Sequence, residues 1–339
     1  MKLFKDKTIM VTGSCGTVGA ELVRQLVMTD VKSIVCIDNN ETELFFQIEQ
    51  YHKTGIVKCH LADIRDRDAL LMRMRGIDIV LHAAALKHVH LCEDSPAQAV
   101  ATNIQGTQNV IYAAQANDVE RVIFTSSDKA VNPTNVMGTS KLMGERLMTA
   151  ASVVNSQSTS SSKTIFASTR FGNVLGSRGS VVPLFMRQIE SGGPITLTDK
   201  KMTRFIMTLS EAASLVLDSV FLAKGGEVFV TKMPVARIED IASMMRDILS
   251  DKESIEIIEI GSKPGEKLYE ELMNEEEVRR SYEFGNYFVV ISAFSDINSD
   301  LYSYLHESNQ PVKPYNSTFE PALSEKELRE YFTSNSIIE

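Results

Sequence analysis

The segment TGSCGTVG, residues 12–19, joins a short β-branched apolar run at residues 8–11 to a helical pattern at residues 20–28. Its glycines, Gly13, Gly16 and Gly19, stand three apart. In a strand–turn–helix unit the first permits a tight turn. The second lets backbone approach a pyrophosphate, and the third lets the helix pack on the strand. The new helix presents amide donors and the positive end of its dipole to an anion. Ser14, Thr17 and Val18 belong to the same turn. A purely structural glycine turn is the competing reading. The next apolar run, residues 33–38, argues against it by closing on Asp38. A carboxylate there accepts hydrogen bonds from the adenosine ribose and repels a 2′-phosphate, which favours NAD over NADP. No arginine follows directly in DNNETE; a base folding in from elsewhere, such as Lys32, is the route to NADP.

Outward from this turn, apolar runs at residues 56–63, 77–85, 121–127 and from 164 alternate with helical patterns at 97–116 and 140–154. Continuous apolar strands alternating with helices predict an α/β fold, a Rossmann-type doubly wound parallel sheet covered on both faces. Asp63 and Ile64 end the third strand, as an adenine edge and face. Ala83, Ala84 and Ala85 follow the fourth, small enough for a dinucleotide to pass close to backbone; tight core packing is the other reading. After residue 182 the regularity is lost. Short strands are expected at 195–197, 227–230 and 255–260, and helices at 209–222 and 238–249. The expected division is a large domain at 1–182 and a smaller mixed α/β domain at 183–310, with returns of the chain to the first left open. A tail at 311–339 carries a helix after Pro321, where Ser324 and Glu327 have capping-box spacing.

The chain has 339 residues, 43% of them hydrophobic, ample for a large core. Its 35 Lys and Arg against 44 Asp and Glu leave a formal charge of -9, which argues against nucleic acid and anionic membranes as partners. A local pocket for an anionic small molecule stays compatible with that balance. Cys15, Cys36, Cys59 and Cys92 show no CxxC pairing or zinc spacing and read as buried reduced thiols. The N-terminal apolar run is too short for a signal peptide, and no stretch approaches the roughly 20 apolar residues of a membrane helix. A soluble cytoplasmic protein is expected.

The chemistry concentrates in TSSDKAVNPTNVMGTSK, residues 125–141. It sets Asp128 beside Lys129 at the carboxyl end of a strand, where open α/β sheets bind their ligands. A surface ion pair is the plain alternative. Ser126 and Ser127 close the strand and offer hydroxyls, though serine is also an ordinary turn residue. Lys87 follows the small-residue run, within reach of a sugar or nicotinamide. His88 and His90 flank it, but without a third ligand at useful spacing no metal is expected.

These residues resemble the extended short-chain dehydrogenase/reductase family, and within it the polysaccharide-biosynthesis branch containing nucleotide-sugar 4,6-dehydratases that act on UDP-N-acetylglucosamine. The resemblance runs through VTGSCGTVGAELVRQL, LADIRD, VLHAAALKHVHLCE, TNIQGTQNV, TSSDKAVNPTNVMG, TRFGNVLGSRGSVVPLF, MTRFIMTLSEAASLVL and KPGEKLYEEL. It implies an NAD(P) domain, a smaller nucleotide-sugar domain, a tightly bound cofactor and a homo-oligomer, dimer or hexamer. It also implies an internal redox cycle. Hydride leaves C4 of the sugar, water is eliminated across C5 and C6, and hydride returns. Such products feed nonulosonic acids, pseudaminic acid among them.

By the same resemblance Lys141 holds the nicotinamide ribose, Asp128 protonates the leaving C6 oxygen and Lys129 takes the C5 proton. Glu93 resembles a substrate-pocket acid or else caps the helix at Pro96, and Asn103 supports the active-site backbone. Arg170, Asn173, Arg178 and Ser180, then Arg204, Lys263 and Glu266, match a substrate-side pattern suited to uracil, ribose and diphosphate. Met137 is the departure, because the family carries tyrosine there and a thioether moves no proton. Three readings follow: a branch in which Asp128 or Lys129 handles the C4 hydroxyl proton, a partner enzyme that reduces or epimerises the dehydrated sugar, or a protein that binds dinucleotide or sugar nucleotide without turnover.

Overall fold

The computed structural model describes residues 4–157, 164–177, 179–250, 255–261, 265–295, 297 and 300–338. Its first half alternates as the apolar runs demand. The strands are β1 Thr8–Thr12, β2 Ser33–Asp38, β3 Val57–Leu61, β4 Ile79–His82, β5 Arg121–Thr125 and β6 Ile165–Arg170. The helices are α1 Thr17–Val27, α2 Glu41–Tyr51, α3 Arg67–Arg73, α4 Val89–Asp94, α5 Pro96–Ala99, α6 Thr107–Ala116 and α7 Val136–Gln157. Neighbouring strands β3-β2-β1-β4-β5-β6 pair in parallel in that order. The order reverses direction between β1 and β4, and that switch point opens a crevice at the strands' carboxyl ends. Successive side chains of β1 face opposite layers. Ile9 and Val11 pack with Leu22, Leu26 and Ile34; Met10 packs with Val35, Leu70, Val110 and Phe124. Each such fully buried side chain contributes roughly 1.5–3 kcal/mol, which explains why β1 lacks polar alternation.

Two helices start earlier than their apolar periodicity shows. α1 begins at Thr17, directly after Gly16 in extended conformation (φ -69°, ψ 164°). α7 begins at Val136, with the Asn135 side chain accepting from Gly138 N at 2.8 Å. Between α5 and α6 the helix widens into a π turn over Val100–Gly106. There the Asn103 side chain accepts from Leu86 N (2.8 Å) and donates to Leu86 O (2.9 Å) and Ser140 Oγ (2.8 Å). It ties the loop after β4 to α7.

The second half supplies β7 Asn173–Val174, β8 Ile195–Leu197, β9 Thr203–Met207, β10 Val228–Thr231, β11 Val235–Arg237, β12 Ile257–Glu259, β13 Glu271–Met273, β14 Ser281–Phe284, β15 Tyr287–Val290 and β16 Tyr315–Asn316. Its helices are α8 Val181–Glu190, α9 Leu209–Leu222, α10 Ile238–Leu249, α11 Glu275–Val278 and α12 Glu325–Ser334. The chain beyond residue 182 returns to the large sheet: β10 pairs parallel with β6, and β15 and β14 extend that edge antiparallel. The smaller region holds the β7–β9–β11 sheet and the pairs β8–β12 and β13–β16. Its apolar cluster includes Phe185, Ile195, Ile206, Ile241 and Met245, closed by Leu328 and Phe332 of α12. Ser324 and Glu327 form the capping box that starts α12. Among the described residues no helix is long and apolar enough to cross a membrane.

Candidate active site

The glycine turn sits at the switch point. Gly13 has φ +67°, and a Cβ there would meet Ala84 Cα at 2.6 Å; a Cβ on Gly19 would meet Gly13 O at 2.0 Å. A side chain at either position therefore breaks the turn or its contact with the loop after β4. A Cβ on Gly16 would meet only Gly13 O, at 3.2 Å, so its other side is open. A cavity of about 590 Å³ runs from Gly13 and Gly16 past Asp38, Asp63 and Ile64 to Ala83, Ala84 and Ala85. A second of about 440 Å³ continues from the same glycines along Thr17, Val18 and Lys87 to Ser126, Ser127, Asp128, Lys129, Met137 and Lys141. The open glycine edge, the helix start and the carboxylate form one trough that fits an extended dinucleotide.

Ser14 does not share that surface. Its hydroxyl is buried and donates to Gln47 Oε1 at 2.9 Å, while Gln47 Nε2 donates to Ser14 O at 2.9 Å, so its side chain anchors α2 instead of a ligand. Asp38 accepts from Cys15 N and Asn40 N, both at 3.0 Å. Asp63 pairs with Arg65 at 2.6 Å, which holds its carboxyl down at about 2. Arg65 is the one cation lining the first cavity among the described residues, and Asp63 and Gln98 already engage it.

At the other end, Lys141 is 6% exposed and donates to Thr125 O at 2.8 Å, with its ammonium 4.7 Å from the centre of the Phe124 ring. Burial pushes its pKa down to about 8. Met137 is buried beside Cys92 and Ala99. Asp128 is 5% exposed and accepts from Ser127 Oγ (2.7 Å) and from Lys129 Nζ (2.9 Å). Burial works against its charge, yet Lys129 and Ser127 hold its carboxyl below the usual range. Burial likewise disfavours the Lys129 ammonium, but Asp128 and then Glu270 outweigh it and the pKa rises. Ser126 Oγ is buried at the cavity and finds no hydrogen-bond partner among the described residues. An orphaned hydroxyl at such a site suits a ligand's polar group.

A third cavity, of about 200 Å³, shares Asp128, Lys129 and Asn173 with the second and adds Thr134, Asn135, Arg204, Glu266 and Glu270. A fourth, of about 250 Å³, runs on from Asn173, Arg204 and Glu266 to Ser180, whose hydroxyl is also buried without a partner among the described residues. The structure thus brings Asn173, Ser180, Arg204 and Glu266 together with the Asp128–Lys129 turn. Arg178 and Lys263 lie outside the described residues.

Two further expectations are corrected. Arg170 is 1% exposed and turned into the protein. Its guanidinium donates to Glu145 (2.7 and 2.6 Å), Glu277 (2.8 and 2.7 Å) and Leu272 O (3.1 Å), which uses all five N–H groups and leaves none for substrate. Glu93 caps α7, accepting from Val136 N at 2.6 Å, and lines none of these cavities. Sequence reasoning missed Glu270. It is buried, accepts from Asn173 Nδ2 (2.7 Å) and Phe205 N (3.1 Å), and lies 3.3 Å from Arg204 Nε and 3.8 Å from Lys129 Nζ. The available signal was the doubled acid in KPGEKLYEEL, immediately before a strand.

A family model described as "Polysaccharide biosynthesis protein" matches residues 9–292. A Methanocaldococcus jannaschii protein described as an uncharacterized membrane protein is 49% identical over 292 residues, 85% of this chain and 86% of that one. A UDP-glucose 4-epimerase of Rickettsia bellii is 37% identical over 88% of this chain and 87% of its own. The X-ray structure of Pen from Bacillus thuringiensis superposes with a TM-score of 0.90 at 40% identity, over 99% of this chain and 100% of that one. The chain belongs to the polysaccharide biosynthesis protein family, a branch of the extended short-chain dehydrogenases/reductases.

Proposed function

We propose that this protein is an NAD(P)-dependent UDP-N-acetylhexosamine 4,6-dehydratase acting on UDP-N-acetylglucosamine. The observation that carries the reading is the position of Asp128 and Lys129, which line both the trough that fits a dinucleotide and the cavity reaching toward Asn173, Arg204 and Glu266. A sugar held between the two cavities presents its ring to the acid–amine pair. Bound dinucleotide supplies the hydride acceptor and later donor. Lys141 orients the nicotinamide ribose, and Ser126 offers its unpartnered hydroxyl to the C4 oxygen. Lys129 as free amine takes the C4 hydroxyl proton as hydride leaves and passes it across their 2.9 Å contact to Asp128, which delivers it to the C6 oxygen as water departs; Lys129, free again, takes the proton from C5 and returns it there as hydride reaches C6. Met137 takes no part in proton movement. Three carboxylates, Asp38, Glu43 and Asp63, against a single engaged Arg65 at the adenosine end support NAD over NADP.

Incubation with UDP-N-acetylglucosamine in deuterated water, followed by NMR, tests this. Loss of water and deuterium at C5 are expected, and Lys129→Ala is expected to reduce exchange at C5 by a factor of about 100 or more, the scale of general-base catalysis. An unchanged exchange rate in that variant removes Lys129 from the role. The epimerase name of the Rickettsia bellii relative favours a second reading, reduction or epimerisation of a dehydrated UDP-sugar. Inertness toward UDP-N-acetylglucosamine together with turnover of an added 4-keto or 5,6-ene sugar selects that reading instead.

A further inference from the structure

The resting site poses a problem for the chemistry just assigned. Asp128 and Lys129 form an ion pair at 2.9 Å, so the acid lacks its proton and the base already carries one. Competence requires one N–H bond of the ammonium to break and one O–H bond to form on Asp128, across that same contact. The equilibrium depends on every charge around the pair. Glu270 is the additional carboxyl facing it. Its segment lies against the turn bearing Asp128 and Lys129, against Asn173 of β7, and against Arg204 of β9, which lies 3.8 Å from Glu266. Glu270 N donates to Ser317 Oγ at 3.0 Å, which fixes the backbone. The neighbouring Lys267 and Glu271 pair with each other at 3.4 Å. Among the described residues the charged groups at Glu270 are therefore Asp128, Lys129 and Arg204, with Glu266 behind the arginine.

We propose that Glu270 is a positioning residue that decides which member of the Asp128–Lys129 pair holds the proton: ionised, it pins the ammonium between two carboxylates; neutral, it leaves a single carboxylate partner and frees the amine. Reciprocity supports the assignment, because the Lys129 ammonium favours the Glu270 carboxylate just as that carboxylate favours the ammonium. Burial and then Asp128 raise the Glu270 pKa to about 7, so both forms are populated near neutrality. The inference deepens the proposed function, since it matters catalytically only if Lys129 is a base. Its test is therefore independent of turnover.

Reductive methylation with formaldehyde and cyanoborohydride reports free amine. Its rate at Lys129, read by peptide mass mapping across pH 6–10, is compared between the unaltered protein and Glu270→Gln. The variant is expected to show about tenfold more reactive Lys129 above pH 7, equivalent to about one pKa unit. Equal reactivity at every pH overturns the proposal. Should the variant fail to fold, 13C NMR of the glutamate-labelled protein decides on the one resonance that Glu270→Asp removes: titration above the usual carboxylate range supports the proposal, and titration within that range defeats it. A reactivity shift without turnover of UDP-N-acetylglucosamine upholds this inference while rejecting that substrate. Turnover with unshifted reactivity does the reverse. A merely structural Glu270 lowers activity at all pH values alike, whereas the proposed role moves the rising limb of the rate profile to lower pH in the variant.

Discussion

Lys141 stands between stability and function. Its folded pKa of about 8 lies below the ordinary lysine value of about 10.4, so the fold favours the neutral amine relative to the unfolded chain. Between those values the unfolded chain binds the additional proton, and this group's contribution to stability rises with pH. Below pH 8 the penalty is present in full. Replacing it with methionine removes the buried charge at the loss of one hydrogen bond to Thr125 O. Lys141→Met is therefore expected to stabilise the dinucleotide-free protein by about 2 kcal/mol at pH 7, less toward pH 10, with activity lost. Urea unfolding at the two pH values checks the sign; a variant less stable at pH 7 contradicts it. The same scale shows what a sequence conveys about a site. Asp128 and Lys129 were legible because they are neighbours at a strand end. Glu270 was not, because it reaches them only through folding of the later chain. Arg170 was misread because the sequence conveys the type of a strand-end arginine but not that two distant carboxylates, Glu145 and Glu277, claim it from within.

Those carboxylates also explain how elements are coupled. Arg170 ends β6, Glu145 lies on α7 and Glu277 on α11, so one buried guanidinium joins the large sheet, the helix that carries Lys141 and the segment following β13. Removing one member leaves buried charge uncompensated. Arg170→Ala is expected to destabilise the protein by about 3–5 kcal/mol, and adding Glu145→Gln and Glu277→Gln should recover part of that loss. No recovery in the triple variant means that packing, not charge, sets the cost. Helix starts were the least legible feature of the elements for a related reason. Periodicity records burial, whereas starts depend on caps. A Cβ on Gly138 would lie 2.2 Å from Lys129 O, so the glycine inside α7, easily taken for a loop signal, is what lets the helix start against the Asp128–Lys129 turn. Among the first six strands those inside the sheet were readable because burial on both faces writes a nearly unbroken apolar run, whereas the edge strand β3 is half-exposed and breaks its run with Lys58 and His60. Strands such as β7, β13 and β16, only two or three residues long, are too short to leave one.

Over the whole molecule, the trough for the dinucleotide and the cavities beyond Asn173 rest on different apolar clusters. The first lies over the two layers that sandwich the large sheet. The fourth cavity is walled by Phe185, Leu197, Met202, Ile206, Ile238 and Ile241, all members of the cluster that α12 closes. α12 is held by Leu328 and Phe332, by Leu323 N donating to Val235 O at 2.8 Å, and by Tyr331 Oη donating to Glu211 at 2.8 Å. Leu328 and Phe332 alone account for about 3–6 kcal/mol of burial, a large share of the 5–15 kcal/mol that typically separates folded from unfolded states. Their loss falls first on the layer they cover, because stability is distributed locally. Removal of residues 321–339 is therefore expected to weaken binding of a UDP-sugar more than tenfold while leaving dinucleotide affinity within a few-fold, by calorimetric titration of each ligand. Equal loss of both affinities would show instead that the return of β10, β14 and β15 to the large sheet welds the two regions into one cooperative unit.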